Sequence, residues 1–157
     1  EEFWKIYTKT DIIPPQYISA EAVVERSIIG EGSEIHGEVY NSVIGPGVVI
    51  KKGSVVRNSI IMKQSFIGEN VTIDKAIIAE NVTVGNNVVM GVGEDVPNKE
   101  KPRVYSFGLV TIGENSVIPA DVRIGINTAI VGETTPEDYP DGELASGETL
   151  NKEGETA

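Results

Sequence analysis

The chain has 157 residues, with 24 acidic against 13 basic side chains and a formal net charge of -11. That charge excludes nucleic acid or an anionic membrane as the partner, since each needs a basic face. With no cysteine there are no disulfides, thiolate metal sites or thiol catalysis, and with no apolar run of bilayer length and no secretory leader the chain is expected in the cytoplasm.

Residues 1–17, EEFWKIYTKTDIIPPQY, carry Trp4, Tyr7 and Tyr17 with the pair Pro14 and Pro15. Proline fixes an extended path and restrains the residue before it, so this segment reads as a strap leading onto the next element. From Ile18 an aliphatic residue recurs every five or six positions, first at Val24, Ile29 and Ile35, with one coil shortened by two residues in IHGEVYNSVI.

From Asn41 to Gly91 a 17-residue unit is written three times without insertion or deletion: NSVIGPGVVIKKGSVVR, NSIIMKQSFIGENVTID and KAIIAENVTVGNNVVMG. Aligned, the copies put aliphatic residues at Ile44, Ile50 and Val56, at Ile61, Ile67 and Ile73, and at Ile78, Val84 and Met90. A helix repeats near 3.6 residues and a strand at 2, so this spacing fits a solenoid of short strands bent at regular corners. Three residues after a marker come Gly32, Gly47, Gly53, Asn70, Asn81, Asn87 and Asn115, residue types that enter the left-handed region at little cost. Two corners of each coil are therefore expected as left-handed turns. The third, after Val56 and Ile73, has Ser59 and Ala76 and is expected to turn by other means.

Between corners, each marker and the residue two before it should face the same way, because strand side chains alternate. These pairs include Val48 with Ile50, Ser54 with Val56, Val82 with Val84, and Ser116 with Ile118. They predict a prism filled by stacked aliphatics and small residues, which one coil alone cannot bury.

After Met90 the pattern stops for a loop at 91–110 that holds Pro97, Pro102 and the cations Lys99, Lys101 and Arg103. A loop of that length in a compact domain is functional or disordered more often than it is a plain connection. Periodicity returns at Ile112, Ile118, Ile124 and Ile130. Residues 133–157 are acidic and rich in Pro, Gly, Thr and Ser, so they read as a flexible tail unless they lie against something.

Candidate chemistry is sparse. His36 is the single histidine, too few for a zinc site and, beside a marker, most simply a solvent-facing side chain. The carboxylates of EGSEIHGE and of the tail show no pairing of the acid/base kind, and the glycines of GVGEDV at Gly91 open no helix, as a phosphate loop would require. Lys51 and Lys52 read as exposed turn residues. Lys99, Lys101 and Arg103 stand out against the acidic background as a candidate contact for an anionic effector or a partner.

Three stretches, WKIY followed by IIPPQYI, NSVIGPGVVIKKGSVVRNSIIM, and RVYSFGLVTIGENSVIP, make nearly the whole chain resemble the C-terminal domain of bacterial glucose-1-phosphate adenylyltransferase, also called ADP-glucose pyrophosphorylase. The resemblance implies an all-β fold: a single-stranded left-handed parallel β-helix over residues 18–132, preceded by the strap at 1–17 and followed by the acidic tail at 133–157. It implies that catalysis lies in an N-terminal nucleotidyltransferase domain outside this chain, where ATP and Mg²⁺ would be used to turn glucose 1-phosphate into ADP-glucose for glycogen synthesis. This part would then hold no catalytic residue and no cofactor or metal of its own. Its implied roles are packing against that domain, homo-oligomer contact and help in forming an anionic effector site. Family members often carry a basic residue where this chain has Glu80, and some a second at Thr83, so the usual effector site is altered here. A hexapeptide-repeat acyltransferase, or the β-helix of another sugar-nucleotide pyrophosphorylase, is the alternative.

Overall fold

The computed structural model describes residues 16–153. Short strands pair only in parallel, and among the described residues they stack into three sheets of six, seven and seven strands. These sheets are the faces of a triangular prism, a left-handed β-helix. In the regular coils the register step is one full repeat: Val49 pairs with Phe66, and Phe66 with Thr83. The interior is as the spacing predicts. Ile50, Ile67 and Val84 on the first face, Val56, Ile73 and Met90 on the second, and Ile44, Ile61 and Ile78 on the third are each 1% exposed or less.

All seven Gly and Asn corner positions have positive φ, from 56° at Asn70 to 80° at Gly53. The third corner differs from expectation. It is left-handed too, but one residue earlier than Ser59 and Ala76, at Arg26, Asn41, Asn58 and Lys75, with φ of 49° to 56°. Asn41 and Asn58 tolerate that region because a short amide can bond locally, and here the amides form a ladder: Asn41 Nδ2 donates to Asn58 Oδ1 at 2.8 Å and Asn58 Nδ2 to Asp74 Oδ1 at 3.1 Å. Arg26 and Lys75 have no such compensation. Replacing Lys75 by Asn should therefore raise stability by about 0.5–1 kcal/mol, read as a shift in the urea midpoint at unchanged slope. A midpoint that falls would mean that the lysine stem contributes more packing than the backbone strain costs.

Ser59 and Ala76 still matter to that corner, in another way. Ser42 Oγ accepts from the Ser59 amide at 3.1 Å, and Ser59 Oγ from the Ala76 amide at 3.0 Å, each one coil on. Ser33, Ser54 and Ser65 do the same at the corner before the first or second face, their hydroxyls accepting from Val48, Val71 and Val82 amides. These serines are 4% exposed or less. A buried amide left without an acceptor would cost about 1–3 kcal/mol, so the hydroxyls replace ladder bonds that the bend removes.

The shortened coil also has a local cause. From Glu34 to its partner Val49 the step falls short of a full repeat, and the inward residue of the short side is Val39, fully buried. Between Ile35 and Val39 the chain turns through His36 and Gly37. A Cβ on Gly37 would stand 2.4 Å from the Ser54 carbonyl oxygen, so only glycine allows the tight turn.

Two expected boundaries shift. Of the strap at 1–17, residues 1–15 lie outside the described residues, while Tyr17 already belongs to the first strand, Tyr17–Ile18. The segment from 133 is not a free tail up to residue 153. Glu143–Leu144 pairs with Arg123–Ile124, and Thr149–Asn151 with Thr128–Val131, adding a further coil. It orders because it lies on an existing sheet edge, which supplies the backbone partners, and because Tyr139 and Leu144, 3% and 8% exposed, close the end of the core. Burial pushes the Tyr139 hydroxyl up to about 12, and that hydroxyl lies 2.8 Å from Thr134 Oγ1.

Candidate functional site: an inserted cationic loop

Across the interruption the register step doubles. Thr83 pairs with Val117 and Val89 with Arg123, two repeats on instead of one, so the loop leaves the stack and returns to it without breaking the prism. Two asparagines fasten it. Asn98 is 2% exposed; its amide donates to the Asn127 carbonyl at 3.0 Å and to Thr149 Oγ1 at 3.1 Å, and its Oδ1 accepts from the Glu100 and Lys101 amides at 2.9 and 2.8 Å. Asn127, at a left-handed corner with φ of 57°, donates to the Val96 carbonyl at 2.9 Å and accepts from the Gly108 amide at 2.8 Å. The loop is thus an ordered appendage.

This fastening separates the three candidate cations. Lys99 lies against the added last coil: its amide donates to the Gly147 carbonyl at 2.8 Å and its ammonium pairs with Glu148. Lys101 and Arg103 are exposed on either side of Pro102, and among the described residues neither forms an ion pair with a carboxylate. Beside them Val104 and Phe107 stand 64% and 87% exposed. Two unpaired cations next to two solvated apolar side chains suit a protein surface or an organic anion better than a bare inorganic ion. Asn98 and Asn127 carry this arrangement, and nothing in the sequence marks either as a fastener.

The remaining candidates fall on corners. His36 lies at the shortened corner, 3.4 Å from Glu34 Oε1, with the Tyr17 ring 5.5 Å away, beside a depression of about 160 Å³ that Lys51, Lys52 and Glu69 also line. Lys52 is an exposed turn residue, as read, whereas Lys51 precedes the turn and is half-buried. Ser19 Oγ, on the same depression, is buried without a protein partner. Glu80 and Asn81 share a depression of about 390 Å³ with Lys63 and Gln64, so a cation of the preceding coil stands near the carboxylate. A third depression, of about 380 Å³, is lined by Arg26, Tyr40 and Arg57 with Glu25, Asn41 and Asn58. There the Arg57 guanidinium carbon is 5.5 Å from the centre of the Tyr40 ring, and the Tyr40 hydroxyl donates to Glu38 at 2.7 Å, a bond that raises its pKa. The sequence reading does not single out this pair, although the two residues stand one repeat apart and the period places one above the other. Among the described residues no three His, Cys, Asp or Glu side chains gather in a way that could hold a metal ion, and no helix is long and apolar enough to cross a membrane.

Known proteins are similar along almost the whole chain. The glucose-1-phosphate adenylyltransferase of Lachnospira eligens is 61% identical over 155 residues, 99% of this chain and 37% of that protein. The enzymes of the same name from Acetivibrio thermocellus and Thermotoga neapolitana are 44% and 54% identical over 98% and 92% of this chain, 36% and 34% of their own length. The chain therefore spans little more than a third of these curated relatives. Residues 16–112, the shortened coil and all three copies of the repeated unit among them, match the family described as GlmU-like, C-terminal hexapeptide, and the chain belongs to that family.

Proposed function

We propose that this chain is the non-catalytic oligomerisation and regulatory β-helix of a glucose-1-phosphate adenylyltransferase, a cytoplasmic enzyme that converts ATP and glucose 1-phosphate into ADP-glucose and pyrophosphate. The observation that carries this reading is the 61% identity with the Lachnospira eligens enzyme over 99% of the chain. A stacked solenoid is suited to such a role because its long faces and its ends offer surface without demanding flexibility of the core. In this reading ATP and Mg²⁺ are held by the part of the parent enzyme outside this chain. Lys101 and Arg103, with Lys99 anchoring the loop, make the contact with an anionic effector or with a neighbouring subunit.

The test is a chimera in which this chain replaces the aligned third of the Lachnospira eligens enzyme. We expect the chimera to form ADP-glucose at a rate within about tenfold of the parent, to keep its subunit number, and to change its effector response when Lys99, Lys101 and Arg103 are all neutralised; tenfold corresponds to about 1.4 kcal/mol in the barrier. A chimera that folds but neither assembles nor turns over would overturn the reading. An unchanged effector response and assembly in the triple variant would remove the loop from it.

A further inference from the structure

Neither the inserted loop nor the last coil has a core of its own. Between residues 91 and 109 the single buried side chain is that of Asn98. From Glu143 to Asn151 the buried residues are Leu144 and Gly147, and among the described residues each of the two strands there has a sheet partner on one side only. Segments that bury so little apolar surface do not offset the entropy lost on ordering, so each needs support from elsewhere.

Much of that support is mutual. The Asn98 amide donates to Thr149 Oγ1 at 3.1 Å and to the Glu148 carbonyl at 3.4 Å, and the Lys99 amide donates to the Gly147 carbonyl at 2.8 Å. The Lys99 ammonium pairs with Glu148. Gly147 has φ of 82°, and a Cβ there would stand 2.7 Å from the Pro97 carbonyl oxygen, so the two backbones meet where only glycine fits. Both segments are then tied to one corner of the coil beneath. Asn127 holds the loop on its way out, at Asp95 and Val96, and on its way back, at the Gly108 amide. Its neighbour Ile126 holds the last coil, accepting from the Gly147 amide and donating to Ser146 Oγ, each at 3.0 Å.

From these contacts we infer that the loop and the last coil form one latch, which closes and opens as a unit over the end of the prism. If either left alone, the Asn98 amide or the Glu148 and Gly147 carbonyls would lose their partners while still held against the other segment, a cost that joint opening to water avoids. Beneath the latch lies Thr128–Val131, the longest strand among the described residues, in which Ala129 and Ile130 are 1% and 0% exposed. Closed, the latch replaces that apolar edge with the short strands Glu143–Leu144 and Thr149–Asn151, whose polar side chains suit an edge that faces water. Open, it bares an edge that another strand can join, and it frees Lys101 and Arg103 from a fixed position. The latch is thus a cap whose state sets both the exposure of the prism end and the placing of the cations.

The experiment perturbs one segment and reads the other, in the 157-residue chain. Asn98→Leu alters the loop, and Leu144→Ala alters the last coil through the core, to which no residue from 91 to 109 contributes. In each variant tryptic cleavage after Lys99 and Arg103 reports on the loop. Hydrogen exchange at the Gly147 and Lys152 amides, which donate to Ile126 and Val131 of the coil beneath, reports on the last coil. We expect both readouts to quicken at least about tenfold and by the same factor within a variant, because both follow one opening equilibrium. Exchange at the Gly68 amide, bonded to the Val84 carbonyl in the middle of the prism, should keep its wild-type rate. A rise in one readout with the other unchanged, in either variant, overturns the inference, because the segments then open separately. So does a rise that reaches Gly68, since the unit is then the whole solenoid, and so does no change in either readout. Should Leu144→Ala fail to fold, Thr149→Val deletes only the hydroxyl that meets Asn98, and a joint rise of about threefold is expected in its place, with the same outcomes counting against the latch.

Discussion

Ile67→Asp should unfold the solenoid, whereas Phe66→Asp, the same change one residue earlier, should be tolerated. The two side chains share one strand, Phe66–Ile67, and leave it in opposite directions. Ile67 is fully buried, stacked between Ile50 and Val84 of the neighbouring coils, and Phe66 is 40% exposed. A carboxylate at position 67 would have apolar side chains above and below it and no donor within the prism. The cost is about 4 kcal/mol or more, against the ~5–15 kcal/mol that holds a typical domain together. Because each coil is held only by its two neighbours, loss of a central coil also deprives the coils on either side of a partner. Burial would raise the pKa of the introduced carboxyl in the folded state above its value in the unfolded chain. The destabilisation is thus largest above the folded pKa and eases as the pH falls towards the unfolded value of about 4. Thermal melting followed by β-sheet circular dichroism decides the matter. Similar melting temperatures for the two variants would mean that inward and outward positions are assigned wrongly.

The inward and outward assignment is legible in the sequence because the repeat samples each column several times. Ile50, Ile67 and Val84 are three readings of one position, and their shared character needs no knowledge of the fold. The same redundancy locates the seven Gly and Asn corners. It fails at the third corner, where the left-handed residue is Arg26 or Lys75 in some coils; neither type signals a positive φ, and Ser59 and Ala76 draw attention one position too late. The added last coil is hidden for a related reason. Residues 143–151 hold two leucines and many polar side chains, too little to order alone, but sequence does not reveal that a ready sheet edge supplies the backbone partners. Of the candidate site, the cationic triplet is visible as a charge anomaly. Its division into an anchor, Lys99, and two unpaired cations, Lys101 and Arg103, depends on contacts with Glu148 and Gly147 in the last coil, far along the chain, which no local pattern encodes.

Removing the side chain that fastens the loop should have the second large effect. Asn98→Leu keeps the approximate volume but deletes the donor to the Asn127 carbonyl and to Thr149 Oγ1, and the acceptor for the Glu100 and Lys101 amides. Groups so orphaned cost about 1–3 kcal/mol each when they stay buried, so the loop is expected to release them to water by coming away from the prism. The strands form an unbroken ladder around the insertion, Val89 pairing directly with Arg123, and the β-sheet signal should persist. Opening should instead appear as tryptic cleavage after Lys99 and Arg103. With about 3 kcal/mol lost from the closed state, cleavage should quicken roughly 100-fold, provided that the loop opens and closes faster than it is cut. Asn98→Asp separates the two halves of the fastening. Its carboxylate still accepts from Glu100 and Lys101 but faces the Asn127 carbonyl without a proton to donate. That repulsion and burial raise the folded pKa of the new carboxyl, so the loop should close better at low pH and loosen as the pH rises through that value. Cleavage of Asn98→Leu at the wild-type rate would show that the loop is held by something other than Asn98, and would return Lys101 and Arg103 to the status of solvated side chains on an unconstrained segment.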